Sequence, residues 1–191
     1  MRNSLADVVD AALRVLDAHG LENCSMRRVA SELDVQPSAL YHHVPNKQTL
    51  LALMADEIVH GVGRTLDNPG MICLELRTAM LAVRDGAEVV ATAAAFRLGA
   101  SAVERRLADL VGADGARTLL LYTFGQAQAT QMHRQAAALG ALVPGADQAQ
   151  DPGADPGANP AAELGADPAP DQDLDASFAR GLGIILAGLG R

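Results

Sequence analysis

The N-terminal part of the sequence contains several side chains that can contact DNA, either at a phosphate or at the edge of a base. A guanidinium such as that of Arg27 can bond guanine O6 and N7 together, and an ammonium such as that of Lys47 suits a phosphate. Two short helices joined by a four-residue turn are expected here, and the second begins at Gln36-Pro37 and contains Tyr41. These are the dimensions of a helix-turn-helix, whose second helix enters the major groove. Helix pairs of this size also occur as plain packing units, so spacing alone leaves both interpretations open.

The sequence shows no arrangement typical of catalysis or of metal binding. It has no Ser/His/Asp or Cys/His set, no Gly-rich phosphate loop and no paired-carboxylate motif. The neighbours His42 and His43 lie about 100° apart on a helix and cannot face one metal ion. Cys24 and Cys73 fit no metal spacing and are expected to be small buried residues. We therefore expect no enzyme and no resident metal or cofactor.

Four helices are expected in the first 64 residues, because each start carries a residue type that favours a helix N-terminus. Gly20 should end the first helix. Pro45 should stop the third helix at Val44, after about two turns. The expected starting residues are Ser4, Ser25, Pro37 and Asn46.

Helical spacing resumes after the expected turn at 67–70. Residues 144–173 differ from the rest, because six of the nine prolines fall there among Ala, Gly, Asp and Gln. Such a composition cannot offset the entropy lost on ordering, so we expect a disordered acidic loop. The further helices are expected at about 72–84, 87–96, 101–111, 116–139 and 174–189.

Composition and charge narrow the class of protein. The chain is 49% hydrophobic and only 3% aromatic, which favours an all-α fold packed through small and aliphatic side chains. The net charge of −8 excludes a basic field over the whole molecule, so a DNA contact must come from a local cluster of donors. No apolar run approaches the roughly 18 residues of a membrane span, and no secretory signal is found. A cytoplasmic protein without membrane contact is expected.

The N-terminal segment resembles the DNA-binding domain of the TetR family of transcriptional regulators. The similarity is strong over residues 1–64 and weaker over 72–139. Within the family it is closest to the tetracycline repressors, whose recognition helix and ligand-binding core have similar stretches. The stretches that carry the resemblance are Ser25-Met26-Arg27-Arg28-Val29-Ala30, Gln36-Pro37, Leu40-Tyr41, His43-Val44, Asn46-Lys47-Gln48-Thr49-Leu50-Leu51 and Arg84-Asp85-Gly86-Ala87 with Val89.

The resemblance implies an all-α homodimer with two domains. Residues 1–64 would form a three-helix helix-turn-helix domain with a linking fourth helix. Residues 65–191 would form a helical ligand-binding and dimerisation domain that includes the loop at 144–173. The long helix and the last helix would build a four-helix bundle between subunits. The glycines of the last helix indicate close helix approach or a fraying end, and the continuous apolar stripe of that helix favours close approach. These glycines are Gly181, Gly183 and Gly188.

The resemblance also implies which residues meet DNA. Arg27 would contact a base, while Lys47 and Tyr41 would contact phosphates. Ala39 stands where the tetracycline repressors have a threonine, and His42 where they have a tryptophan, so we expect a different operator sequence. The full expected set is Arg27, Gln36, Pro37, Ser38, Ala39, Tyr41, His42, His43 and Lys47.

Three positions depart from what the resemblance implies for drug binding. Val90 and Gly63 stand where the tetracycline repressors have ligand-contacting histidines, and Ala129 where they have a glutamate near the metal. None of these side chains can ligate magnesium. The sequence therefore predicts that the effector is a mostly apolar organic molecule and not a magnesium–tetracycline chelate.

Polar residues interrupt the apolar face of the long helix and are candidates for contacting such an effector. Tyr122 and Gln126 are expected at the pocket together with Val90, and Gln128 lies nearby. Alternatively, Tyr122 is a core ring with its hydroxyl at the rim, and the two glutamines lie at the dimer interface.

These observations favour a ligand-responsive repressor that binds double-stranded operator DNA as a homodimer and is released by a small, mostly apolar effector. One alternative is a DNA-binding regulator without an effector, whose core serves dimerisation only. An all-α enzyme or a protein-binding adaptor remains only if the helix-turn-helix resemblance is accidental.

Overall fold

The computed structural model of the protein describes residues 4–96, 101–139 and 173–189. Within these ranges the chain is helical and contains no β-strand, so the expected all-α fold is confirmed. The helices in these ranges are α1 (Leu5–His19), α2 (Met26–Glu32), α3 (Pro37–Leu40), α4 (Lys47–Ile58), α5 (Pro69–Leu81), α6 (Gly86–Ala95), α7 (Ser101–Ala138) and α8 (Leu174–Leu189).

Capping side chains begin α1, α2 and α4, as expected. Ser4 Oγ accepts the Asp7 N–H at 3.2 Å, and the Asp7 carboxylate accepts the Ser4 N–H at 2.7 Å, which forms a complete capping box. These bonds hold the pKa of Asp7 below its usual value. Ser25 Oγ accepts an N–H at the start of α2, and Asn46 Oδ1 accepts one at the start of α4. The expected end of α1 at Gly20 is confirmed.

The third helix is shorter than the two turns expected. α3 spans Pro37–Leu40, and residues 41–43 form a turn. The N–H groups of His43 and Val44 both donate to the Leu40 carbonyl, at 2.9 and 2.8 Å. A proline at position 45 disfavours helical geometry in the residue before it, which explains why this segment cannot continue as a regular helix.

The prediction of a turn over residues 67–70 is wrong for its last two residues, because α5 already begins at Pro69. Asn68 Oδ1 accepts the Met71 N–H at 3.1 Å, and Pro69 occupies the first turn of α5. Proline suits that position, where its missing N–H costs nothing. Asn and Pro are typical both of turns and of capped helix starts, so the sequence alone did not distinguish the two. As a result, α5 begins three residues before the expected position 72.

α7 contains two helical segments that meet at Gly112, where φ is 76° and ψ is 167°. The break separates residues 101–111 from 113–138, close to the two helices expected from the sequence. α4 packs against α6, and α7 packs against α5, α6 and α8. One core of buried residues therefore continues from the N-terminal helices to Phe178 and Leu182 of α8.

The loop expected at 144–173 lies outside the described residues apart from Asp173, which caps α8. The Asp173 carboxylate accepts the Ala176 N–H at 2.8 Å. Close helix approach is confirmed at Gly181, where an added Cβ would lie 2.0 Å from the Tyr122 hydroxyl oxygen. At Gly183 and Gly188 an added Cβ meets no atom of the described chain within 4 Å, so close approach there stays a prediction for the contact between subunits.

Candidate nucleic-acid interface and effector site

The residues expected to contact DNA lie on the outer surface of α2, α3 and the start of α4. The buried side chains of Val29, Ala30, Leu40 and Val44 fix these elements from below. Tyr41 is 52% exposed, so its ring is only partly packed between helices. Of the nine residues expected to contact DNA, Pro37 and Lys47 are half-buried, and the exposed ones are Arg27, Gln36, Ser38, Ala39, Tyr41, His42 and His43.

Arg27 lies between two shallow cavities on this surface, of about 450 and 370 Å³. Its guanidinium has no hydrogen bond or ion pair to the described residues, whereas Arg14 on α1 is paired with Glu32 at 2.9 Å. Ser31 lines both cavities beside Arg27 and was missed from the sequence. Its position one helical turn after Arg27 is the pattern that could have identified it.

Lys47 is the first residue of α4, and Asn46 immediately before it satisfies a backbone donor of that helix. Asn46 Oδ1 accepts the Thr49 N–H at 2.8 Å and the Thr49 hydroxyl at 3.1 Å. A cation beside a helix N-terminus can hold a phosphate together with the remaining backbone N–H groups. The phosphate-contacting role expected of Lys47 stays a prediction.

The residues expected to contact an effector lie on two helices that pack together, with Tyr122 and Gln126 one turn apart on α7 and Val90 on α6. Val90 is fully buried in the core on α6. The Tyr122 hydroxyl donates to the Phe178 carbonyl of α8 at 3.1 Å, and its ring stacks on the Phe178 ring with centroids 5.5 Å apart. Burial raises the pKa of Tyr122, and the nearby Arg77 opposes the shift. Gln126 and Gln128 are half-buried on the same helix. Tyr122 thus has the core-ring geometry of the alternative interpretation.

A buried arginine in the C-terminal helices was missed from the sequence. Arg77 of α5 is 7% exposed, and its Nη2 donates to the Thr130 hydroxyl of α7 at 3.1 Å. Its guanidinium lies 4.9 Å from the centroid of the Phe178 ring. Arg77 falls at helical spacing from the apolar residues Cys73 and Met80, so a charge on the buried face of α5 was the available indication.

A cavity of about 680 Å³ lies where the N-terminal and C-terminal helices meet. The end of α1, the turn between α5 and α6, and the last turns of α7 line it. Val90, Tyr122 and Gln126 do not line it. Its volume suits a drug-sized molecule, but its position differs from the pocket expected from the sequence.

Direct hydrogen bonds connect the two groups of helices beside this cavity. Arg84 Nη1 donates to the carbonyl oxygens of Asp17 and Ala18, at 2.8 and 3.2 Å. Asp85 accepts the Leu21 N–H at 2.8 Å and the Gln135 side-chain amide at 2.6 Å. These bonds join the end of α1 and the segment after it, which leads into the helix-turn-helix, to the turn between α5 and α6 and to the end of α7.

The three positions that depart from the tetracycline repressors have different environments. Val90 is fully buried, and Ala129 is exposed on α7. Gly63 has φ of 71°, its N–H donates to Glu75 at 2.8 Å, and an added Cβ would lie 3.2 Å from Ile72. A larger side chain at Gly63 would therefore be strained in this backbone.

Two further findings concern metals and membranes. Among the residues that the structure describes, no group of three or more His, Cys, Asp and Glu could hold a metal ion. Across the same ranges, no helix has both the length and the apolar character needed to cross a membrane. Cys24 and Cys73 are buried free thiols, as expected, and burial raises the pKa of both.

Comparison with known proteins gives consistent matches. Residues 8–54 match the model of the family described as bacterial regulatory proteins, tetR family. The repressor DrrR1 of Streptomyces coeruleorubidus is 48% identical over 66 residues, which cover 35% of this chain and 23% of DrrR1. The class C tetracycline repressor of Escherichia coli is 32% identical over 200 residues, covering 95% of this chain and 88% of that repressor. These proteins are named as regulators, in agreement with the expectation that the chain is not an enzyme.

Solved structures match over nearly the whole chain. BioQ of Mycobacterium smegmatis superimposes with a TM-score of 0.77 at 31% identity, covering 98% of this chain and 97% of BioQ. A structure of BioQ with its natural double-stranded DNA operator superimposes with a TM-score of 0.73 at 27% identity, covering 98% of both chains. The chain spans only about a quarter of the length of DrrR1, but most of the length of the other two proteins.

Proposed function

The chain belongs to the TetR family of bacterial regulatory proteins, and on that premise we propose that it is a transcriptional repressor that binds operator DNA as a homodimer. We further propose that a small, mostly apolar organic effector releases it from the operator. Residues 1–64 would bind DNA, and residues 65–191 would dimerise and bind the effector.

The observation that carries the DNA-binding proposal is the outward face of α2, α3 and the start of α4. There Arg27 has a guanidinium free of described partners, and Lys47 lies at a helix N-terminus. An arginine can read a guanine edge, and a lysine contributes counterion release at a phosphate. Support also comes from BioQ, a structural neighbour solved with its operator.

Dimerisation would cover apolar side chains that one chain leaves in solvent. On α7, Leu121 is 63% and Met132 is 70% exposed, and on α8 Ile184 is 74% exposed. Exposed apolar side chains on neighbouring helices are typical of an interaction surface. Pairing by two-fold symmetry would bring α7 and α8 of one chain against the same helices of its partner, and would place two recognition helices on one operator.

An effector response is proposed for the C-terminal helices, at Tyr122, Gln126 and Val90. Tyr122 connects α7 to α8, so a molecule bound beside it would alter the packing of both helices. The bonds of Asp85 with Leu21 and Gln135 offer a direct route from α7 to the helix-turn-helix. Effector binding would then change the separation of the two DNA-binding heads.

A regulator without an effector is the second candidate, and one observation favours it. Val90 is fully enclosed by core residues, and the Tyr122 hydroxyl is already bonded to α8. A core packed in this way serves dimerisation without binding a small molecule. This candidate would be favoured if no compound and no fraction of a cell extract changed the affinity of the protein for its operator.

Selection of bound sites from a random duplex pool tests the DNA-binding proposal. We expect a two-fold symmetric site, with half-sites about one helical turn or slightly more apart. The selected site is then titrated by fluorescence anisotropy with the wild type, Arg27→Ala and Arg64→Ala. Arg64 is exposed and lies after the C-terminal end of α4, away from both the recognition surface and α7, so its variant is the matched control for loss of one positive charge. Recovery of no common sequence, or equal loss of affinity in both variants, would contradict the proposal.

A further inference from the structure

Asp34 follows α2 at a position where glycine is the usual residue. Its backbone is left-handed, with φ of 53°. The Val35 N–H donates to the Ala30 carbonyl at 3.0 Å. The Asp34 N–H donates to the Ser31 carbonyl at 3.2 Å. These bonds form a Schellman motif, in which glycine is preferred because a side chain is crowded in the left-handed conformation. The turn itself therefore gives no reason for a carboxylate at this position.

The carboxylate of Asp34 has no partner within the described residues. Its side chain is exposed and forms no hydrogen bond or ion pair there. The acid two residues earlier, Glu32, differs because it pairs with Arg14 at 2.9 Å. The Asp34 carboxylate is thus available to a partner outside the chain.

Asp34 lies on the same surface as Arg27. Both residues line one shallow cavity of about 370 Å³, which Ser31, Gln36 and Pro37 also line. Arg27 and Asp34 are seven positions apart, which corresponds to two helical turns and about 10 Å. The major groove of DNA is about 12 Å wide, so a half-site contacted by Arg27 also lies within reach of Asp34.

A carboxylate on a DNA-binding surface is selective because of its charge and its hydrogen-bonding character. Phosphates repel it, so it weakens binding to DNA that offers only backbone contacts. When ionised it only accepts hydrogen bonds, and the amino donors in the major groove belong to cytosine and adenine. Adenine also presents the acceptor N7 beside its amino group, whereas cytosine presents the donor alone. A carboxylate therefore suits cytosine.

We propose that Asp34 is a specificity-determining residue of the DNA-binding surface, whose carboxylate accepts a hydrogen bond from N4 of a cytosine in each half-site. On other sequences the same charge faces phosphates or base acceptors without compensation and weakens binding. Arg27 and Asp34 then provide one donor group and one acceptor group to the same half-site. This inference rests on the proposed repressor function and adds a base contact to it.

Selection of bound sites from a random duplex pool, run in parallel with the full-length wild type, Asp34→Gly and Asp34→Asn, tests the proposal. The wild type should require a C·G pair at one position of each half-site. Asp34→Gly removes the carboxylate and should lower discrimination at that position about tenfold. Asp34→Asn should shift the preference there toward adenine, because an amide can bond adenine N6 and N7 together.

Anisotropy titrations on the selected site and on scrambled DNA add a second readout. Both Asp34 variants should bind scrambled DNA roughly twofold more tightly than the wild type, since one repulsive charge is gone. Glu104→Gln removes an exposed carboxylate on α7 and is the matched control, with unchanged base preference and unchanged affinity for scrambled DNA.

Folding of the variants is checked by thermal unfolding followed by circular dichroism. Glycine suits the left-handed backbone at position 34, so the midpoint of Asp34→Gly should be no lower than that of the wild type. Asparagine also tolerates this backbone and keeps the size of the side chain, so Asp34→Asn repeats the test without a change of volume.

The selection separates this inference from the proposed function. Unchanged base preference in both Asp34 variants, or loss of preference for a base other than cytosine, would overturn the role of Asp34 and leave the repressor function standing. A wild type that selects no common sequence would contradict the repressor function and, with it, this inference.

Discussion

Asp85 accepts a hydrogen bond from the Leu21 N–H at 2.8 Å, although the two residues are 64 positions apart. The second oxygen of the same carboxylate accepts from the Gln135 side chain at 2.6 Å. One side chain in the turn between α5 and α6 thus holds both the segment after α1 and the end of α7.

Asp85→Ala should lower the free energy of unfolding by about 2 kcal/mol, because two donors lose a charged acceptor. Asp85→Asn should have a smaller effect, since asparagine keeps one acceptor and tolerates the left-handed backbone with φ of 54° at this position. Urea denaturation at one fixed protein concentration measures both variants. Glu22→Ala, an exposed change at the same junction, is the control and should stay within about 0.5 kcal/mol of the wild type.

Arg27→Ala and Lys47→Ala should weaken DNA binding in different ways. Loss of a base contact relaxes sequence preference, whereas loss of a phosphate contact weakens all sites alike and reduces the salt slope by about 1. Anisotropy titrations on the selected site and on scrambled DNA, at several salt concentrations, distinguish the two. Equal loss of sequence preference in both variants would contradict the assigned roles.

Gly181→Ala should destabilise the packing of α8 on α7, because the new Cβ would lie 2.0 Å from the Tyr122 hydroxyl oxygen. We expect a cost of about 1 to 3 kcal/mol in urea denaturation. Adding Tyr122→Phe removes the obstructing oxygen and should recover part of this loss in a double-mutant cycle. Gly183→Ala is the matched control, since its Cβ meets open space within one chain. A larger loss for Gly183→Ala than for Gly181→Ala would argue against this account.

Deletion of residues 147–171, bridged by a short Gly/Ser linker, should leave dimerisation and operator affinity nearly unchanged. The reason is compositional, because a segment rich in Pro, Ala, Gly and Asp buries little apolar surface. Sedimentation and anisotropy of the deletion variant measure the two properties. A monomeric or unfolded product would show that the segment packs against the protein.

Tetracycline with magnesium should not release the protein from its operator. Val90, Gly63 and Ala129 offer no metal ligand, and a hard cation needs oxygen or imidazole donors. Val90→His alone should not restore a response, since one ligand cannot replace three missing contacts. Anisotropy of labelled operator with drug, in the presence and absence of magnesium, checks this. Magnesium-dependent release of the wild type would refute this prediction. Release that does not depend on magnesium would keep the apolar pocket and reject only the claim that tetracycline does not fit it.

Much of the helical framework could be predicted from the sequence, because helix starts and stops depend on neighbouring residues. The side chains of Ser4, Ser25 and Asn46 each accept a backbone N–H three residues later in the chain. Pro45 restricts the backbone conformation of the residue directly before it. The TetR resemblance likewise depends on a contiguous N-terminal segment, and the family match over residues 8–54 agrees with it. Candidate DNA contacts lie in that same segment, and their roles stay predictions.

The tertiary structure alone decided the relationships between distant residues. Arg77 meets Asp175 across 98 positions, and Asp85 meets Leu21 across 64, so neither pairing follows from helical periodicity. Gly181 and Gly183 are the same residue type in one helix, yet only Gly181 lies against the Tyr122 hydroxyl. Local spacing determines which face of a helix is apolar, but the neighbour that covers each position depends on how all the helices pack together.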